Sequence, residues 1–139
     1  FERWRAETRG SNVVILSSPT VFKSLQTQRL HEQLRHELFH LWIPNNLNLT
    51  SDYSWFYEGF TQYAALKTGV KLNRITFSDF LNTLGQAVNQ TRNRNQTASL
   101  IENSKTRWRG ANSGVYTEGM LIAFLIDAAL LRESRGKID

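Results

Sequence analysis

One short segment holds residue types that could bind a metal ion and put it to use. Arg35-His36-Glu37-Leu38-Phe39-His40-Leu41-Trp42 carries the pattern His-Glu-x-x-His. Residues four apart on a helix share a face, with Cβ atoms about 5–6 Å apart. Two imidazoles so placed can converge on one zinc ion at Zn–N distances of about 2.0–2.1 Å. Glu37 follows the first histidine and is turned too far round the helix to be a ligand on the same face. It can still reach the attacking water. The segment therefore offers two ligands, His36 and His40, and one base, Glu37.

Zinc sites that do chemistry usually take three protein ligands and keep a fourth position open. The chain has no cysteine, so the third ligand must be His, Asp or Glu. Glu58 is the candidate, within Trp55-Phe56-Tyr57-Glu58-Gly59-Phe60-Thr61-Gln62-Tyr63. A carboxylate among so many aromatic residues is costly unless it is paired or binds a metal. A helix-loop-helix fold-back would bring Glu58 against His40. Gln62, one turn further on, is a candidate to support the histidines. His31-Glu32 does not repeat the motif, because residue 35 is Arg; His31 reads as a surface histidine.

The elements that must position these residues follow from patterning. Asn12 to Ser17 is a β-branched run and predicts a strand. From about Val21 to Ile43, Leu30, Leu34, Leu38 and Leu41 recur at helical spacing and predict an apolar stripe, ended by Pro44-Asn45-Asn46. A second helix is expected from about Trp55 to Lys67, capped by Ser54 and stopped near Gly69. A third is expected from about Asp79 to Gln90 behind Ser78. Residues 90–113 read as a polar surface loop with a short helical turn at most, and a last helix runs from about Tyr116 to Ser134. The fold class is mainly α, or α+β, with a short N-terminal strand and an active-site helix pair.

The 139 residues suit a single domain, 1–139, of globular composition: 40% are hydrophobic and 12% aromatic. The net charge is +5, with Arg92, Arg94, Lys105, Arg107 and Arg109 in the predicted loop. That patch reads as a solvated surface; no nucleic-acid motif accompanies it, and no nucleic-acid partner is expected. The apolar run from Met120 to Leu131 is broken by Asp127 and is read as too short to span a membrane. The chain starts at Phe1 and is expected to be a piece of a longer protein, so cytoplasmic and exported locations both stay open.

The two aromatic-flanked motifs resemble those of the gluzincin peptidases, whose third zinc ligand is a Glu on the helix after His-Glu-x-x-His. The resemblance is closest to the glycyl aminopeptidase family, with its H-E-x-F-H-x-W and W-F-x-E-G-F-T-x-Y segments; the related aminopeptidase N family usually has Asn before the Glu, where this chain has Tyr57. A third segment, Ser113-Gly114-Val115-Tyr116-Thr117-Glu118-Gly119-Met120-Leu121, resembles the family's Y-x-K-G, with Glu118 in place of the Lys. The resemblance implies a thermolysin-like core and one zinc ion on His36, His40 and Glu58. It also implies Glu37 as general base and Tyr116 as oxyanion donor. The activity it implies is that of an aminopeptidase on peptides with small N-terminal residues, Gly or Ala, in a protein that also carries a PDZ domain and an N-terminal β domain. Two departures stand out: the loop between His40 and Glu58 is short, and the glycines that precede the family's amino-terminus-anchoring Glu are missing before Glu7. The residues of the third segment alone fit a packing aromatic at a helix start as well as an oxyanion donor. A non-hydrolytic zinc scaffold, or a peptidase domain that has lost activity, is the alternative reading of the whole.

Overall fold

The computed structural model describes residues 5–17, 22–47, 49, 53–94, 98–106 and 114–137, the side chain of Leu25 excepted. It is mainly helical with one small sheet. The chain opens with a hairpin of β1 (Arg5–Arg9) and β2 (Asn12–Leu16), antiparallel, with Arg5 opposite Leu16 and Arg9 opposite Asn12. Gly10 and Ser11 make the turn, and Gly10 takes a φ of 58°, a conformation that costs a residue without Cβ little. Only β2 is predicted by sequence. Arg5-Ala6-Glu7-Thr8-Arg9 has no apolar alternation, so its strand character comes from pairing with β2.

Helix α1 (Lys23–Phe39) is shorter than its pattern predicts. The backbone N–H groups of His40, Leu41 and Trp42 bond back three residues, to Glu37, Leu38 and Phe39. The helix thus tightens and ends four residues before Ile43; Pro44 disfavours helical geometry in the residue it follows. The apolar stripe of the helix is not its buried face. Leu30, Leu34 and Leu38 are 41%, 36% and 40% exposed. The buried positions of this segment are His36, Glu37 and His40.

The core lies elsewhere. Helices α2 (Ser54–Lys71), α3 (Phe77–Arg92) and α5 (Gly114–Glu133) enclose Tyr63, Leu66, Phe80, Leu84, Met120 and Ala123. Ser54 lies inside α2, not at its cap, and α2 runs past Gly69. Thr76, not Ser78, caps α3, in a reciprocal pair with Asp79. Within the expected loop, Ser99 and Glu102 form a second capping box that starts the short α4 (Leu100–Lys105). Its Ser104 hydroxyl accepts from the Trp55 N–H at 3.0 Å, which ties α4 to the start of α2. Arg107 and Arg109 lie outside the described residues.

α2 and α5 cross with their backbones in contact. A Cβ at Gly59 would lie 2.8 Å from the Met120 nitrogen, and one at Gly119 would lie 2.9 Å from the Gly59 Cα. Only glycine fits at either position. One helical turn beyond, Tyr63 donates to Asp127, and Lys67 pairs with the same carboxylate at 2.9 Å. α5 also corrects the membrane expectation: its 20 residues are long and apolar enough to span a bilayer by length and composition. Met120 and Ala123 of this helix pack in the core and Asp127 pairs with Lys67, whereas Leu125, Ile126 and Leu130 are exposed.

Candidate metal centre

Four carboxylate and imidazole side chains meet where the end of α1 approaches the start of α2. His36 and Glu37 occupy the last turn of α1, and His40 is its C-terminal cap. Glu58 lies next to Gly59, so the tight α2–α5 crossing fixes its depth. Its Oε2 is 3.1 Å from His36 Nε2 and 3.4 Å from His40 Nε2, and the two Nε2 atoms are 3.1 Å apart. All four residues are buried, Glu58 to 4% exposure. The 17 residues between His40 and Glu58 do span the fold-back.

The hydrogen-bond partners decide which atoms face one another. His40 Nδ1 is 2.8 Å from the Ile43 carbonyl, which can only accept. The neutral His40 ring therefore carries its proton at Nδ1, and the Nε2 lone pair points at Glu58 and His36. Thr61, which is fully buried, stands 3.5 Å from the same Nδ1. The two Nε2 atoms and Glu58 Oε2 are buried so close that a proton or a cation must lie among them. The basicity of His40 reflects that demand. Burial works against its protonation, but the Glu58 carboxylate, aided by the Ile43 carbonyl and Glu37, outweighs it and holds the pKa above the ordinary histidine value. His36 Nδ1 is buried with no hydrogen-bond partner among the described residues.

Glu37 joins this group from the side. One ligand atom each from His36, Glu37 and His40 lie within 4.8 Å of one another, so the group could hold a metal ion. The hairpin holds Glu37 in place: Thr8 Oγ1 is 2.8 Å from the Glu37 carboxylate and 2.7 Å from its carbonyl oxygen. Asn45, in the turn after α1, donates to the Gly10 carbonyl at 2.8 Å and fastens the hairpin from the other side.

A cavity of about 490 Å³ opens over the group, with Glu7, Thr8, Asn45, Tyr57, Gln62 and Tyr116 in its wall. Tyr116, in the first turn of α5, has its ring centroid 6.3 Å from that of His36. Glu118 is not in the cavity wall and pairs with Arg94 at 3.4 Å. The Arg94 guanidinium lies over Gly114, where a Cβ would collide with it. Glu7 sits at the cavity but is more than half exposed and pairs with Arg9 at 2.9 Å.

The structure therefore brings together every site residue read from sequence. It also corrects the supporting cast. Gln62 lines the cavity but bonds neither histidine; the Ile43 carbonyl and Thr61 stand at His40 instead. Thr61 had a readable signal, since it lies three residues after Glu58 on the same helical face. Thr8 had none, because its contact with Glu37 spans 29 residues and depends on an unpredicted strand. No protein-family model, curated protein or solved structure matches this chain.

Proposed function

We propose that the chain is a zinc-dependent peptidase core of the thermolysin-like, gluzincin kind, with His36, His40 and Glu58 as zinc ligands. One observation carries the reading: the triangle of donor atoms with sides of 3.1, 3.1 and 3.4 Å. Bonds of about 2.0–2.1 Å in a tetrahedral site space the ligand atoms about 3.3–3.4 Å apart. The chain's triangle is close to one face of that tetrahedron. Two neutral imidazoles and one carboxylate also form a donor set suited to zinc, and leave the ion with net positive charge. The three residues that would hold the ion line the cavity of about 490 Å³, room enough for several residues of a peptide.

A zinc ion held there supplies Lewis acidity, favouring ionisation of water near neutral pH and polarisation of a carbonyl. The rest is done by the chain. Glu37 takes a proton from the attacking water and delivers it to the leaving amine. Thr8 donates to the Glu37 carboxylate and fixes the direction in which that proton is taken. Tyr116 offers its hydroxyl to the carbonyl oxygen as charge develops on it. The reading of small N-terminal residues, Gly or Ala, rests on the resemblance to the glycyl aminopeptidases; Glu7 at the cavity wall supplies a carboxylate for a substrate amine.

The test separates ligand from base. Purified protein loaded with zinc and desalted should retain about one ion per chain, and His40→Ala should lose most of it. Glu37→Gln should retain the metal yet lose hydrolysis of Gly- and Ala-terminated peptides by a factor of at least about 10². Metal loss from Glu37→Gln as complete as from His40→Ala would return Glu37 to the ligands. A zinc-replete wild type without hydrolysis would leave the non-hydrolytic scaffold standing.

A further inference from the structure

A second cavity, of about 870 Å³, lies on the face of α1 opposite the histidines, between that helix and the turn joining α2 to α3. Its charged wall is mostly basic: Lys23, Arg35 and Arg74, with the exposed His31 beside them. Asp79 is the one acidic residue in this wall, and its carboxylate is engaged. It accepts from the Thr76 N–H at 2.9 Å and from the Thr76 hydroxyl at 2.7 Å, closing the capping box of α3. Among the described residues, none of the three cations makes an ion pair. Arg35 gives its Nε–H to the Ala65 carbonyl at 3.1 Å, which leaves its terminal nitrogens for another acceptor. One of them lies close to Gly69, where an added Cβ would be 3.3 Å away. Burial holds the Arg35 guanidinium below its ordinary pKa; Glu32 opposes that effect and the charge of Arg74 adds to it.

Arg35 and Arg74 repel each other, Glu32 offsets part of that repulsion without forming an ion pair, and a doubly charged anion between the guanidinium groups relieves the rest. Guanidinium forks match the oxygen spacing of phosphate and bind it with two parallel hydrogen bonds. The remaining wall adds neutral donors, the Ser24 hydroxyl and the Gln28 and Asn73 amides. The N-terminal end of α3 stands at the same cavity, but the ionised Asp79 already complements it, so the attraction for an anion comes from the three cations.

We propose that this cavity binds a small phosphate-type dianion, held by Arg35 and Arg74 with Lys23 beside them. The proposal is independent of the zinc reading, because no residue of this wall lines the metal cavity. The deciding experiment is calorimetric titration of the intact chain with inorganic phosphate, at ionic strength held constant with chloride. It is run on zinc-loaded protein and on protein dialysed against a chelator. Saturable binding of one phosphate per chain is expected in both states. Arg74→Gln removes an exposed side chain with no ion pair, so the fold should survive. It should weaken phosphate binding by at least about tenfold, the usual scale for a charged hydrogen bond. Succinate, whose carboxylates carry the same total charge further apart, should bind more weakly. Absence of saturable binding, or an unchanged affinity in Arg74→Gln, would overturn the site. Binding confined to zinc-loaded protein would assign the phosphate to the metal centre, and succinate binding as tight as phosphate would overturn the ligand class.

Discussion

The candidate metal centre is built from two halves that are held in different ways. Glu58 and Tyr116 sit on α2 and α5, whose backbones touch at Gly59 and Gly119 and whose side chains make the apolar core. His36, Glu37 and His40 sit on and just beyond α1, none of whose described side chains joins that core cluster and whose Leu30, Leu34 and Leu38 are exposed. The first half is positioned by packing. The second is positioned largely by polar contacts: Thr8 to Glu37, the Ile43 carbonyl to His40, and the meeting of both histidines with Glu58. Packing is insensitive to a lost ligand, whereas α1 is docked by the same side chains that would bind the ion. Metal binding should therefore protect the α1 amides from exchange more than those of α2 and α5.

The contrast can be broken most severely at the crossing. Gly59→Val would drive a branched side chain into the α5 backbone, and with no flexible side chain to yield it should cost more than about 4 kcal/mol. Urea unfolding would measure this, and a near-normal midpoint would show that the helices can separate without loss. Next in size is Tyr116→Phe. It keeps the ring in place and removes the hydroxyl, so stability and zinc content should hold while kcat falls about 10²–10³-fold with little change in KM. A wild-type kcat would make Tyr116 a packing residue of the rigid half. The smallest effect belongs to the exposed stripe. Leu34→Ala should shift stability by less than about 0.5 kcal/mol, whereas Leu84→Ala in the core should cost about 2–5 kcal/mol. Equal losses at the two positions would mean that α1 is held by its leucines after all.

The same division explains what could be read in advance. The grouping of the candidate site residues was legible because His36, Glu37 and His40 are local in sequence, and Glu58 carries its aromatic neighbours with it. The packing of α1 was not legible for a physical reason. Periodicity identifies the apolar face of a helix but does not say that this face is the buried one, and here the buried face holds two histidines and a glutamate. β1 was invisible because its residues have no strand pattern of their own, and with it went the Thr8 contact. α4 was hidden in a polar stretch, although Ser99 and Glu102 have capping-box spacing. Gly69 misled in the opposite direction: it sits inside α2, close beside the Ile75 and Arg35 side chains, and the helix does not stop there.

The Gly59–Gly119 contact also makes a statement about mutational tolerance. A library of random variants selected only for a folded, metal-binding chain should recover almost no substitutions at these two positions. It should recover polar residues freely at Leu30, Leu34 and Leu38. By that measure two residues that have no side chains would rank with the candidate ligands, since the depth of Glu58 and the approach of Tyr116 are both set where they touch.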